Sequence, residues 1–204
     1  MIILFSGFAL AKKWDLQEAP ELSGNGRGYL LLISAAASVC STCVLSVGSV
    51  MEKFDNITDI ILMGILSGCI LFASVMDMLS NKVYDFIWWL AAASELIIYI
   101  WHPVSVWGLV CLTLFFVIQE IFLVKLYGRA DCHAFCICAV MESIFGMDIT
   151  GFLMHMIFSF FLLSAAQYFA GNIDKKGNLK TPVPFVPYIT MAFWINLLVF
   201  LHGK

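Results

Sequence analysis

Hydrophobic positions along the chain fall into long unbroken runs, and the polar residues cluster in short gaps between them. Seven runs approach or reach bilayer length: residues 29 to 50, 57 to 77, 85 to 101, 104 to 124, 131 to 147, 150 to 170 and 184 to 201. A helix rises about 1.5 Å per residue and must cover roughly 30 Å of hydrocarbon, which sets the length required. The runs show none of the period-two alternation of half-buried strands, and an open sheet edge would leave unpaired amides in lipid. The pattern therefore predicts an all-α fold, a polytopic transmembrane helical bundle with about seven membrane-spanning helices.

The opening segment, MIILFSGFALAKKW, has too short an apolar run before Lys12 and Lys13 to cross. It reads as an interfacial stub. A signal peptide is disfavoured, because the basic residues follow the apolar run and no small-residue cleavage site is evident. SGNGRG, residues 23 to 28, lacks the Gly-Lys-Ser/Thr ending of a phosphate loop and reads as a linker. The expected organisation is a stub and cytoplasmic linker over 1–28 and a transmembrane domain over 29–204.

Composition strengthens the membrane reading. Of 204 residues, 62% are hydrophobic and 12% charged, and the mean hydropathy is +0.95, well above a soluble domain's balance. The charges also give an orientation. With a cytoplasmic amino terminus, Lys12, Lys13, Arg27, Lys82, Lys125, Arg129, Lys175, Lys176 and Lys180 fall inside, and Lys53 and Lys204 outside. That asymmetry follows the positive-inside rule and suits seven crossings. No basic, aromatic-interleaved soluble surface exists, so nucleic acid is not an expected partner. The seven cysteines are odd in number and lie mostly within runs, which disfavours a disulfide framework. Cys40 and Cys43 form a lone CxxC, and Cys132, His133, Cys136 and Cys138 form a second group; packing is the favoured reading of both, and no metal is expected.

Carboxylates within the runs carry more information, since placing one near the centre of a span costs about 2.5–3.5 kcal/mol on insertion scales. Asp148 sits in a short turn, and Glu120 is near enough to the boundary to reach Lys125 or headgroups. Glu95 and Glu142 read as protonated interhelical hydrogen-bond donors, and His155 as a packed or hydrogen-bonded histidine. Asp77 and Asp131 differ: two predicted spans separate them, so both belong at one membrane face. Asp131 also opens a helix, where exposed amides favour a carboxylate. Capping and chemistry both remain open at that position, but capping leaves Gly128 unexplained.

The stretch YGRADCHAF contains GRAD at 128 to 131, which resembles the glycine-x-glycine-aspartate signature of intramembrane aspartic peptidases. The form is the glycine-x-alanine-aspartate found among type IV prepilin and archaeal preflagellin leader peptidases, with Gly128 and Ala130 supporting the aspartate. In that family the first catalytic aspartate ends a transmembrane helix and precedes a short basic loop and an isoleucine-proline-asparagine element. Asp77 in DMLSNKVYDF matches that aspartate, Lys82 lies in the loop, and Val83, Tyr84 and Asp85 occupy the three later positions. PFVPY at 184 to 188 resembles the proline- and phenylalanine-rich element before the family's last helix. Tyr84 and Asp85 depart from the pattern, and His133 stands where many members have lysine.

What the resemblance implies is an aspartic endopeptidase with Asp77 and Asp131 as catalytic residues and no cofactor. One carboxylate would activate water while a carboxylic acid donates to the scissile carbonyl. The implied substrates are membrane-anchored prepilin or pilin-like precursors, cut at the cytoplasmic face of a prokaryotic plasma membrane. Lys82, His133, Pro184, Phe185 and Pro187 would contact substrate, and the basic loop 171 to 188 is either a substrate guide or an ordinary positive-inside loop. The expected form is peptidase-only, without the N-methyltransferase domain of bifunctional members. The alternative class is a non-enzymatic polytopic protein, a small transporter or a degenerate peptidase paralogue, whose aspartates bind ions or polar ligands.

Overall fold

The computed structural model describes residues 57–169 and 183–202. The expected stub, linker and helix 29 to 50, the Cys40/Cys43 pair and most of the loop 171 to 188 lie outside the described residues. Among those described, the regular structure is helical: α1 (Ile57–Ser80), α2 (Asp85–Trp101), α3 (Val106–Val117), a π-helical segment (Ile118–Leu123), α4 (Val124–Tyr127), α5 (Arg129–Ile144), α6 (Ile149–Phe169) and α7 (Val186–His202). The six runs expected here each form a helix, with ends within three residues of expectation. The fourth run is modified: α3, the π-helical segment and α4 follow one another through it.

Three stretches are long and apolar enough to cross a bilayer, 61–80, 106–127 and 149–169. The chain is a membrane protein. Its outward surface agrees, since Val106, Leu109, Val110, Leu114, Val117 and Ile121 are exposed at helical spacing along one stripe, an arrangement that suits lipid and not water. Helices α2, α5 and α7 have 17, 16 and 17 residues, which at about 1.5 Å each is a little less than the hydrocarbon thickness.

The chain divides into two compact units, Met1–Ile98 and Tyr99–Lys204. In the first, Leu66, Ile70, Ala73, Val75 and Met76 of α1 are almost fully buried, as are Ile87 and Ala91 of α2. The turn joining the two helices begins at Asn81, which adopts φ 51°. Asparagine tolerates this left-handed geometry better than other residues with a Cβ. Asn81 N–H donates to the Asp77 carbonyl at 2.8 Å and closes the helix.

In the second unit α5 is the central helix, buried from Ala134 through Ile144, and it packs against α3, the π-helical segment, α4, α6 and α7. Its small residues, Ala134, Cys136, Cys138 and Ala139, permit close helix approach. It ends in a Schellman motif: Gly146 at φ 87° donates to Ser143 O at 2.9 Å, and Met147 N–H to Glu142 O at 3.0 Å. Asp148, expected as a simple loop residue, has a structural task, because its Oδ1 accepts the Thr150 N–H at 3.0 Å at the start of α6. Pro187 stands in the first turn of α7, where a missing N–H goes unneeded.

Candidate functional site

The two aspartates lie in different units. Asp77 is in the last turn of α1 and is buried, 7% exposed. Helix α1 ends three residues later, and Ser80 Oγ donates to Met76 O at 2.9 Å and Lys82 O at 3.2 Å. Lys82 is exposed in this turn. Tyr84 stacks on Phe86 with centroids 6.2 Å apart, and Phe86 lies 6.4 Å from Phe72 of α1. The departures from the family pattern thus have local tasks: Tyr84 packs the turn, and Asp85 places a carboxylate in the first turn of α2, where the helix dipole favours it.

Asp131 lies in the first turn of α5 and is 9% exposed. Gly128 separates α4 from α5 with φ 109° and ψ 162°, a region essentially restricted to glycine. A Cβ built there would meet Asp131 Oδ2 at 3.6 Å, an ordinary contact, so backbone geometry and not crowding requires the glycine. Cys132 N–H donates to Gly128 O at 3.3 Å and starts the helix.

The π-helical segment immediately upstream supplies two neighbours. Tyr127 O–H donates to Gln119 Oε1, and Cys132 S–H donates to Gln119 O at 3.3 Å. Glu120 does not have to reach Lys125, since its Oε1 lies 3.4 Å from His133 Nε2. His133, two residues past the end of the GRAD element, is half-buried.

PFVPY and YGRAD meet in this unit. The Phe185 ring lies edge-on to Tyr127 and to Phe135, 5.8 Å from each, and 5.0 Å from Phe160 of α6. Tyr127 in turn contacts Phe135 and Phe160, both with centroids at 5.8 Å. Four aromatic rings therefore tie the residue before Gly128 to the residue before α7, edge-to-face geometry adding about 0.5–1.5 kcal/mol per pair. Phe185 is buried, whereas Pro184 and Pro187 are partly exposed beside it.

Deeper in the unit, Glu142, His155 and Asn196 form a buried polar cluster across α5, α6 and α7. Asn196 Nδ2 donates to Glu142 Oε1 at 2.8 Å and Gly151 O at 3.1 Å. His155 Nδ1 lies 3.3 Å from the same carboxylate oxygen, and Nε2 lies 2.9 Å from Ile189 O. A carbonyl accepts only, so Nε2 carries the hydrogen that it donates to Ile189 O. Glu142 Oε2 has no hydrogen-bond partner among the described residues. Glu142 and His155 are thus interhelical polar contacts, but Glu142 accepts from Asn196 where a donor was expected, because the amide N–H of α7 faces its carboxyl oxygen. Glu95 is buried in α2, and its Oε1 has no hydrogen-bond partner among the described residues.

Sequence reasoning missed Gln119 and Asn196. Both are single amides within apolar runs, FFVIQEIF and FWINLLVF, and that isolation was the available signal. Cys132 and Cys136 are buried and form no disulfide, and no group of three or more metal-ligating side chains occurs among the described residues. No family model, curated protein or solved structure matches the chain.

Proposed function

We propose that the chain is an intramembrane aspartic endopeptidase that removes the leader of membrane-anchored, pilin-like precursors at the cytoplasmic face of a prokaryotic membrane. The observation that carries this reading is the meeting of YGRAD and PFVPY around Tyr127 and Phe185, two elements 53 or more residues apart in the sequence that the peptidase pattern also pairs. Asp131 beside a glycine at φ 109° and a buried Asp77 at a helix end also support it. The reading requires both carboxylates to act on one peptide bond, with a single proton between them. It also takes the seven-span topology with a cytoplasmic amino terminus, so that the two intervening spans return the chain to the same face. His133, Lys82, Pro184 and Pro187 are then positions for substrate contact, and no metal or cofactor takes part.

Co-expression with a panel of pilin-like precursors, followed by mass spectrometry of their amino termini, tests the reading. A shortened precursor in the presence of the wild-type chain, and an intact one with Asp131→Asn, is the expected result. Intact precursors throughout would contradict it. The second reading is a non-enzymatic membrane protein, and the buried Glu142–His155 pair favours it, because ionisable groups within spans often line ion or proton paths. Flux into proteoliposomes that is lost in Glu142→Gln, with no precursor cleavage, would select it.

A further inference from the structure

Gln119 contacts the chain on both sides of GRAD. Its side chain accepts from Tyr127 O–H, one residue before Gly128, and its main-chain oxygen accepts from Cys132 S–H, one residue after Asp131. The same oxygen accepts the Val124 N–H, the i+5 partner of a π turn, whereas an α-helix would offer it Leu123. A carbonyl has two lone pairs and takes both donors. Gln119 itself is held: it is 0% exposed, and its Nε2 points to Met156 Sδ of α6 at 3.4 Å. A π turn inside an apolar helix needs a cause, and such turns occur frequently at functional sites. Here the extra residue puts the side chain and the carbonyl of one buried amide within reach of both flanks of the Gly128 turn.

We propose that Gln119 is a positioning residue for Asp131, acting through Tyr127 and Cys132 to hold the carboxyl in the direction that peptide hydrolysis needs. This rests on the peptidase reading above. The tether matters because Gly128 is permissive: with no Cβ, its backbone does not by itself define one direction for the helix that carries Asp131. A displacement of about 1 Å in a reacting group is enough to lower a rate about a hundredfold.

Three conservative variants test it in the full-length protein in proteoliposomes, with a precursor that the wild type cleaves. Tyr127→Phe keeps the ring among Phe135, Phe160 and Phe185 and removes the hydroxyl. Gln119→Met keeps the length and removes the amide, and Gln119→Glu keeps an acceptor oxygen. Tyr127→Phe and Gln119→Met are expected to lower kcat roughly 10- to 100-fold with KM within about twofold. The double variant is expected to be no slower than the worse single one, and the limbs of the pH–rate profile to move. Gln119→Glu is expected to recover most of the rate.

A readout independent of turnover is alkylation of Cys132 by N-ethylmaleimide, quantified by peptide mass spectrometry. Every variant keeps the main-chain acceptor of Cys132, so the severalfold rise expected in Tyr127→Phe and Gln119→Met, and the return toward wild type in Gln119→Glu, would report displacement of the start of α5. Unchanged kcat in the first two variants, or a loss of kcat matched by an equal loss of thermal stability with no change in the pH profile, would overturn the inference. A wild type that cleaves none of the precursors would overturn the peptidase reading and this role with it. An active wild type with indifferent variants would overturn this role alone.

Discussion

Gly128 and Asn81 are the two residues whose backbone conformations decide where the helices carrying the candidate aspartates begin or end. At φ 109° and ψ 162°, Gly128 occupies a region that costs other residues about 1–3 kcal/mol. Gly128→Ala is therefore expected to lower the thermal midpoint in detergent by several degrees, although a Cβ would meet nothing closer than Asp131 Oδ2 at 3.6 Å. An unchanged midpoint would show that the turn relaxes without cost. Asn81 has the opposite expectation. At φ 51°, glycine fits without strain and a β-branched residue does not, so Asn81→Gly is expected to be neutral or slightly stabilising and Asn81→Val to cost about 1–2 kcal/mol in the same measurement. Neither conformation was legible as a number, but Gly128 ahead of Asp131 was legible as an anomaly. A capping aspartate alone does not call for a glycine three residues earlier.

At the scale of helices, continuous apolar runs were enough to locate six elements, because lipid forbids any backbone that does not satisfy its own hydrogen bonds. What the runs did not disclose was how the fourth was built. A π turn changes hydrogen-bond register without changing hydropathy, so FFVIQEIF looks the same in either geometry, and the charge of Glu120 is a stronger sequence signal than the buried Gln119 beside it. Partner choice was similarly hidden: Glu120 faces His133 at 3.4 Å, a pairing that depends on the helix break at Gly128. The α5–α6–α7 contact yields a further expectation. Interhelical polar contacts in membranes contribute about 0.5–2 kcal/mol each, and Asn196 makes two such bonds, to Glu142 Oε1 and Gly151 O. Asn196→Leu is expected to lower unfolding free energy in a detergent-denaturation series by about that amount. A stabilised variant would mean that apolar packing outweighs the network, as happens with some buried ion pairs.

For the molecule as a whole, hydropathy and charge placed it in a membrane, and the apolar stripes exposed along α3 and α6 agree. The pairing of Asp77 with Asp131 was inferred from chain order and family pattern, and it is the claim on which the proposed chemistry depends. It is tested most directly by cleavage rates of a purified precursor in proteoliposomes containing wild type, Asp77→Asn, Asp131→Asn or the double variant. Two carboxylates that share one proton and one reaction act as a unit, so each single variant is expected to lose at least about a thousandfold in kcat and the double variant little more than either. Full activity in either single variant, or losses that multiply in the double, would contradict the account.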